Sequence, residues 1–179
     1  SRLMRNLYLC FFTIFTMSVS SMIIDNLDDT RANWSAISDN VMGGISEVNF
    51  YELDDGSDKF YRLEGSVSTK NNGGFIQSVI RFPINAEDFQ GIRFKIRGTS
   101  DDYYLWIRTP ASRFPWDRYI ASFQPEENWS IIEIPFSSLK KSNFYMPGKM
   151  NTSKIRTIAF AAYGKDFQAQ LDIANIELY

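Results

Sequence analysis

The sequence predicts an all-β protein, an antiparallel β-sandwich of the jelly-roll type. Many short segments alternate apolar and polar residues with a period of two, as strands with one buried face do. Sequences rich in Gly, Asn, Asp and Pro separate these segments, and no segment longer than about twelve residues keeps a helical period. The segment 91–97 is the clearest strand, because Ile92, Phe94 and Ile96 alternate there with basic residues.

Nine strands are predicted along the chain. In order, they are Ser46–Tyr51, Phe60–Val67, Ile76–Phe82, Gly91–Arg97, Tyr103–Thr109, Arg118–Phe123, Trp129–Pro135, Ile155–Ala162 and Ala169–Tyr179. Turn-forming residues separate several of them, at 54–57, 71–74, 98–101 and 125–128. Short strands with frequent turns are typical of a sandwich rather than of a helical or α/β fold.

Irregular features of the pattern predict a bulge and two functional loops. In the last strand the apolar phase changes between Ile173 and Ile176, which predicts a β-bulge near Ala174-Asn175. The segments Thr109–Asp117 and Phe136–Lys154 are longer loops without a strand pattern. Long loops at the ends of a sandwich often carry binding residues.

The N-terminal segment has the three-part pattern of a secretory signal peptide. Arg5 supplies the positive charge, Leu7–Met17 the apolar core, and Ser18–Ser20 a small-residue cleavage site. The apolar core is too short to span a bilayer, which needs about 20 residues. We therefore expect residues 1–21 to be removed and residues 22–179 to form one exported domain, periplasmic or secreted. That domain would meet the membrane only transiently, through its leader; an uncleaved anchor is the alternative.

Composition excludes several classes of function. The chain of 179 residues has 19 Lys and Arg against 21 Asp and Glu, a net charge of −2, which does not fit a nucleic-acid binder. It has no histidine and a single cysteine, Cys10, so a Ser-His-Asp triad and a Cys/His zinc site are excluded. Loss of Cys10 with the leader would leave a mature chain without disulfide bonds.

Carboxylates are the remaining acid–base groups for catalysis. A glycosidase would need two of them about 5–10 Å apart. No spacing in the sequence selects a pair from Asp39, Glu47, Asp101, Asp102, Glu133 and Asp172. We therefore expect no enzymatic activity and no cofactor. A structural calcium ion is the alternative, although the spacing is not that of an EF-hand; its ligands would be Asp25, Asp28 and Asp29 with Asp172 or Glu177.

Two segments with paired glycines are the most unusual feature of the sequence. They contain Asp39, Asn40, Gly43 and Gly44 in the first case, and Asn72, Gly73 and Gly74 in the second. Paired glycines let the backbone adopt positive φ and approach another group closely. Each segment is therefore either a tight corner before a strand or a loop whose free N–H groups bind an anion or sugar hydroxyls.

Strand parity predicts which aromatic and basic side chains leave the core. If Leu105 and Ile107 point inward, Trp106 and Arg108 lie on the opposite face, and Arg97 does the same on its own strand. A Trp beside an Arg can stack on a sugar ring and bind its hydroxyls. For Trp34, Trp106 and Trp129, which lie within or next to strands, packing in the core is the first expectation and stacking on a sugar is the alternative. Exposure is the expectation for Trp116, because it lies in the loop Arg113-Phe114-Pro115-Trp116-Asp117.

The ordered motifs resemble the complex I intermediate-associated protein 30 family. The resemblance is carried by Trp34, Ser38–Ser46, Asn72–Phe75, Gly91-Ile92, Arg97-Gly98, Tyr104–Thr109, Trp129, Ile134–Phe136 and Ile173–Leu178. It implies a galactose-binding-like jelly-roll related in fold to carbohydrate-binding modules. It also suggests a surface shared with the family, formed by Asp39, Asn40, Gly43, Gly44, Asn72, Gly73, Gly74 and Arg108.

Two functions follow from the resemblance, and a third from the carboxylates. Mitochondrial members of the family are non-catalytic assembly factors, or chaperones, for respiratory complex I (NADH:ubiquinone oxidoreductase). An exported chain would lie across the membrane from the arm that these factors assemble. We therefore expect a binding or assembly module that contacts a protein partner in the cell envelope. The alternative is a glycan-binding module that uses Arg97, Trp106, Arg108 and Trp116, and a carboxylate-based hydrolase is the third hypothesis.

Overall fold

The described part of the chain folds into two antiparallel sheets of six strands each. The computed structural model describes residues 20–28 and 32–179. The predicted leader therefore lies outside the described residues, apart from Ser20 and Ser21. The strands are β1 (Met22–Asp25), β2 (Trp34–Ser38), β3 (Asn49–Asp54), β4 (Lys59–Val67), β5 (Phe75–Ile84), β6 (Gly91–Gly98), β7 (Tyr103–Arg108), β8 (Tyr119–Phe123), β9 (Ser130–Pro135), β10 (Lys140–Lys141), β11 (Ile155–Tyr163) and β12 (Phe167–Leu178).

The two sheets have different strand orders. Sheet A follows the order β3-β4-β12-β6-β9, and β1 pairs with the end of β12. Sheet B follows the order β10-β8-β7-β11-β5-β2. All pairs are antiparallel, and β11 lies at the centre of sheet B between β7 and β5. Four short 3-10 helices lie in the connections, at Asp39–Met42, Lys70–Asn72, Phe136–Ser138 and Thr152–Lys154.

The core fills the space between the sheets. Each strand points alternate residues inward, so β6 contributes Ile92, Phe94 and Ile96, all fully buried. Phe94 packs edge-on against Phe160 of the facing sheet, with ring centroids 5.0 Å apart. Tyr103 also belongs to this cluster, and its ring adds a large buried apolar surface to the core.

The predicted all-β sandwich is confirmed. All nine predicted strands are present, with ends shifted by a few residues. β1, β2 and β10 were not predicted, because each is short and β2 carries serine on both faces. The predicted bulge is also present: the register between β12 and β6 shifts between Ala174 and Glu177, and Asn175 has a positive φ of 48°. No helix in the described ranges is long and apolar enough to cross a membrane.

Candidate functional site

The two paired-glycine loops meet around the carboxylate of Asp39, which is completely buried. One oxygen accepts a hydrogen bond from the Ser46 N–H at 2.9 Å. The other accepts from the Ser46 hydroxyl at 2.5 Å, from Gly74 N–H at 2.5 Å and from Phe75 N–H at 3.3 Å. The backbone N–H groups of Gly74 and Phe75 therefore bind an anion, and this anion is the carboxylate of Asp39.

Two of the glycines are required by the closeness of this carboxylate. A Cβ added at Gly44 or at Gly73 would lie well under 3.0 Å from side-chain atoms of Asp39. Gly43 and Gly74 have positive φ, 87° and 123°, which residues with a side chain adopt rarely. Burial by itself would raise the pKa of Asp39, but the hydrogen bonds from Ser46, Gly74 and Phe75 outweigh it and lower the pKa below its ordinary value.

Asn40 and Asn71 also make side-chain contacts inside the loop pair. The Asn40 side chain donates to the Ser46 carbonyl at 3.0 Å. Asn72 adopts a left-handed conformation with φ 58°, and the neighbouring Asn71 donates from its side chain to the Gly43 carbonyl. The loop pair therefore fixes the start of β5, which is a strand of sheet B.

The outer face of sheet B carries a cluster of aromatic side chains. Trp106 points outward from β7, as strand parity predicts, and lies in one row with Ala159 of β11. The small Ala159 and Ala161 leave room for larger neighbours, so the ring of Phe75 approaches Trp106 to 6.2 Å across β11. Tyr163 packs edge-on against Trp106 at 5.6 Å and is 44 % exposed. Trp106 itself is nearly buried beneath these side chains.

Arg118 covers this cluster, and the described residues offer no acceptor to its guanidinium. It directly precedes β8, and its guanidinium carbon lies 3.6 Å from the Trp106 ring centroid and 5.4 Å from that of Tyr163. Its Nε is buried and has no hydrogen-bond partner among the described residues. Burial lowers the pKa of Arg118. A partly buried guanidinium that lies against aromatic rings is suited to bind an oxygen-rich ligand.

Arg108 extends the same face, but its guanidinium organises a loop. It donates to the carbonyls of Ser112, Phe114 and Pro115 at 3.2, 3.0 and 3.3 Å. Burial lowers the pKa of Arg108. These bonds shape the loop that carries Trp116, which is 58 % exposed as the sequence predicts.

An exposed aromatic group, named here the loop platform, lies beside this face. It consists of Phe114, Trp116, Phe144 and Tyr145. The Phe114 and Trp116 rings stack in parallel with centroids 5.1 Å apart. The buried carboxylate of Asp117 joins the two loops, because it accepts hydrogen bonds from Phe114 N–H, the Asn143 side chain and the Tyr145 hydroxyl.

Arg97 lies apart from these residues, on the outer face of sheet A. It donates to Asp172 at 2.8 Å, and its guanidinium carbon lies 4.4 Å from the Trp129 ring centroid. Arg62 binds the same carboxylate at 2.7 and 3.0 Å. The candidate residues chosen from the sequence therefore occupy three places: the Asp39 loops, the outer face of sheet B with its loop, and sheet A.

A depression of about 310 Å³ also lies on sheet A, at the β-bulge. Arg93, Lys95 and Glu177 line it. These charges are already paired, since Arg93 binds Glu133 and Glu177 at 2.8 Å and Lys95 binds Asp58 at 2.6 Å. The depression has charged walls but offers a ligand few free charges.

A metal site is not evident among the described residues. They contain no group of three or more His, Cys, Asp or Glu side chains that could hold an ion. Of the calcium ligands considered from the sequence, Asp172 is held by two arginines and Asp28 binds Lys59 at 3.0 Å. Asp29 lies outside the described part of the chain.

Sequence reasoning did not select Arg118 or Tyr163. Parity can give the face of each side chain, but the contacts of both with Trp106 depend on how β7, β8 and β11 pair. The outward parity of Ala159 and Ala161 is a signal that could have identified β11 as the floor of a site, because small residues on a central strand admit large neighbours.

The chain belongs to the family of complex I intermediate-associated protein 30, whose model matches residues 25–173. No curated protein has a matching sequence. The family assignment agrees with the sequence resemblance, and it includes the Asp39 loops and both sheets.

The solved structures similar to this chain include carbohydrate-binding modules. The family 11 module of a cellulosomal cellulase of Clostridium thermocellum is 20 % identical, with a TM-score of 0.73 over 90 % of this chain and 95 % of that chain. The module from the same organism in complex with a β-1,3-1,4-mixed-linked tetrasaccharide is 21 % identical, with a TM-score of 0.73 over 90 % and 96 %. An exo-β-agarase is 12 % identical, with a TM-score of 0.59 over 88 % of this chain and 25 % of that chain. At these identities the likeness concerns the fold.

Proposed function

We propose that the chain is a non-catalytic module that binds a carbohydrate on the outer face of sheet B. One observation carries the proposal: Trp106, Tyr104 and Tyr163 form an aromatic surface there, with Arg118 lying on it. Aromatic rings bind the apolar faces of sugars, and arginine N–H groups bind sugar oxygens. The structures of carbohydrate-binding modules with the same fold support this choice.

The absence of carboxyl groups from the strands of sheet B supports a binding role without catalysis. The six strands of sheet B contain no Asp or Glu residue. Hydrolysis of a glycosidic bond commonly requires two carboxyl groups beside the bond. A sugar bound on this face would therefore be held rather than cleaved.

The test is a titration of glycans against Tyr163→Ala and Tyr51→Ala variants. Tyr163 is partly exposed on sheet B, and Tyr51 is a matched exposed tyrosine on sheet A. Loss of one stacking ring should weaken glycan binding about two- to tenfold for Tyr163→Ala. The Tyr51→Ala variant should bind as the parent does. Equal losses in both variants, or no binding by the parent to any glycan, would contradict the proposal.

A second candidate is assembly through contact with a protein partner, which the family description supports. The loop platform exposes Phe144 at 89 % and Phe114 at 46 %, and exposed apolar patches often mark protein contacts. Crosslinking in the envelope should then lose a specific partner in a Phe144→Ala variant. An Ile131→Ala variant, with an exposed apolar side chain on sheet A, is the control. An unchanged crosslinking pattern in Phe144→Ala would count against this candidate.

A further inference from the structure

The positive charges of sheet A are neutralised within the protein. Every Lys and Arg on its strands contacts a carboxylate at 2.6 to 3.4 Å, namely Lys59, Arg62, Arg93, Lys95 and Arg97. Several of these pairs share a partner, as Arg62 and Arg97 share Asp172. Each cation on the strands of this sheet therefore has a counter-charge in direct contact.

Sheet B has the opposite arrangement. Its strands carry the cations Arg81, Arg108, Lys140, Lys141 and Arg156, but no carboxylate. None of these cations, nor Arg118 beside them, lies within 4.0 Å of a carboxylate oxygen in the described ranges. The positive charge of this sheet therefore has no internal counter-charge in direct contact.

Two of these cations are engaged by backbone carbonyls and shape the loops. Arg108 binds three carbonyls, as described above, and Lys141 binds those of Phe144 and Met146 at 3.0 Å. The remaining charges border the aromatic surface. Lys140 pairs in register with Ile120, which itself pairs with Trp106. Thr157 pairs with both Arg81 and Arg108 in the next row.

Arg118 is the least satisfied of these charges. Buried charges in proteins are ordinarily paired and hydrogen-bonded, because desolvation is costly. The Arg118 guanidinium instead has one buried N–H without an acceptor and lies against the Trp106 ring. An anionic group placed there would receive charge-assisted, two-point hydrogen bonds.

We propose that the ligand of this face is a sugar chain bearing carboxylate or sulfate groups, and that Arg118 pairs with one of those groups. The proposal rests on the proposed function, in which this face binds a glycan. Tyr163 and the half-buried Tyr104 contact the sugar rings above the buried Trp106, Arg118 binds the anionic substituent, and Lys140 and Arg81 add positive charge at the margins. A neutral glycan would leave these charges unmatched.

The experiment compares ligands that differ only in charge. Polygalacturonate is compared with its fully methyl-esterified form, and dextran sulfate with dextran, by affinity electrophoresis and calorimetry. Three proteins are used: the parent, Arg118→Gln, and Lys59→Gln as a control that removes an exposed, paired cation on sheet A. Poly-glutamate serves as an anionic polymer without sugar. Thermal unfolding of each variant establishes that it is folded.

The parent should bind at least one anionic glycan and not its neutral counterpart, with an affinity that falls as salt increases. Arg118→Gln should weaken this binding about tenfold to a hundredfold, whereas Lys59→Gln should leave it within about twofold. Equal binding of a neutral partner, with no effect of Arg118→Gln, would overturn this inference but leave the proposed function intact. Equal binding of poly-glutamate would overturn it as a glycan site. Binding of neither glycan class would overturn both proposals.

Discussion

At the scale of single residues, Asp39 explains the unusual paired glycines. Its buried carboxylate occupies the place that an external anion would take, and Gly44 and Gly73 are small so that it fits. The motif that carries the family resemblance therefore has a packing reason. Whether the loop pair also contacts a ligand directly stays a prediction.

The glycines can be tested by adding a single methyl group. Gly44→Ala and Gly73→Ala should each lower the free energy of unfolding by about 1–3 kcal/mol, because the new Cβ would overlap Asp39. Urea unfolding measures the effect. Gly148→Ala is the matched control, since a Cβ there would meet nothing within 4 Å. Equal stability of all three variants and the parent would contradict the packing argument.

Acid should destabilise the protein partly through Asp39. Its folded-state pKa is lower than the ordinary value of 3.8, so its contribution is present above about pH 4 and is lost as the pH falls through the folded-state value. An Asp39→Asn variant should be less stable near neutral pH by about 1–3 kcal/mol, because backbone donors lose a charged acceptor. Urea unfolding of both proteins at decreasing pH should show their stabilities converging. A constant difference down to about pH 2 would show that Asp39 is not responsible.

Sequence reasoning reached some site residues and not others for a physical reason. Alternation is local, so it placed Trp106 and Arg108 on the outer face correctly. The contact of Asp39 with Gly74 joins loops that are 35 residues apart, and no local pattern encodes it. Arg118 was missed because strand parity gives only its face, whereas its contact with Trp106 depends on how β7 and β8 pair.

At the scale of elements, β1 is short but attached to the core. Ile24 is completely buried, and the Asp25 carboxylate accepts hydrogen bonds from the Trp34 indole and the Tyr61 hydroxyl, both at 2.8 Å. β1 pairs with β12 beyond the bulge, where β4 has ended. It therefore completes sheet A at a position that no other strand covers in the described structure.

Removing β1 should destabilise the fold. A chain that begins at Asn26 loses the burial of Ile24, worth about 1.5–3 kcal/mol, and the hydrogen bond from the Tyr61 hydroxyl to Asp25. A chain that begins at Met22 is the control and keeps every described contact of the strand. Differential scanning calorimetry measures both. Equal melting temperatures would show that β1 contributes little.

At the scale of the whole molecule, the two sheets serve different purposes. The cations of sheet A are paired with carboxylates, whereas sheet B presents aromatic rings and cations that contact no carboxylate among the described residues. Period-two alternation predicted nine of the twelve described strands, because each of these has one face in a common core. It did not predict which strands share a sheet, since strand order depends on the connections and not on the pattern within a strand.

Export remains a proposal and has a direct test. The predicted cleavage site lies just before β1, so removal of residues 1–21 would leave every described strand whole. Mass spectrometry of secreted or periplasmic material should find an N-terminus at Ser21 or Met22. Material that retains Met4 would contradict cleavage.

Because Arg118 lies against Trp106, we expect the intrinsic tryptophan fluorescence of the protein to respond to ligand binding at this site. The emission of an indole responds to charges close to its ring, and here a guanidinium lies 3.6 Å from the ring centroid. A ligand that moves this cation away from the ring would change the emission wavelength and the quantum yield of the tryptophan fluorescence, so no added dye is needed. Occupancy could then be followed in real time.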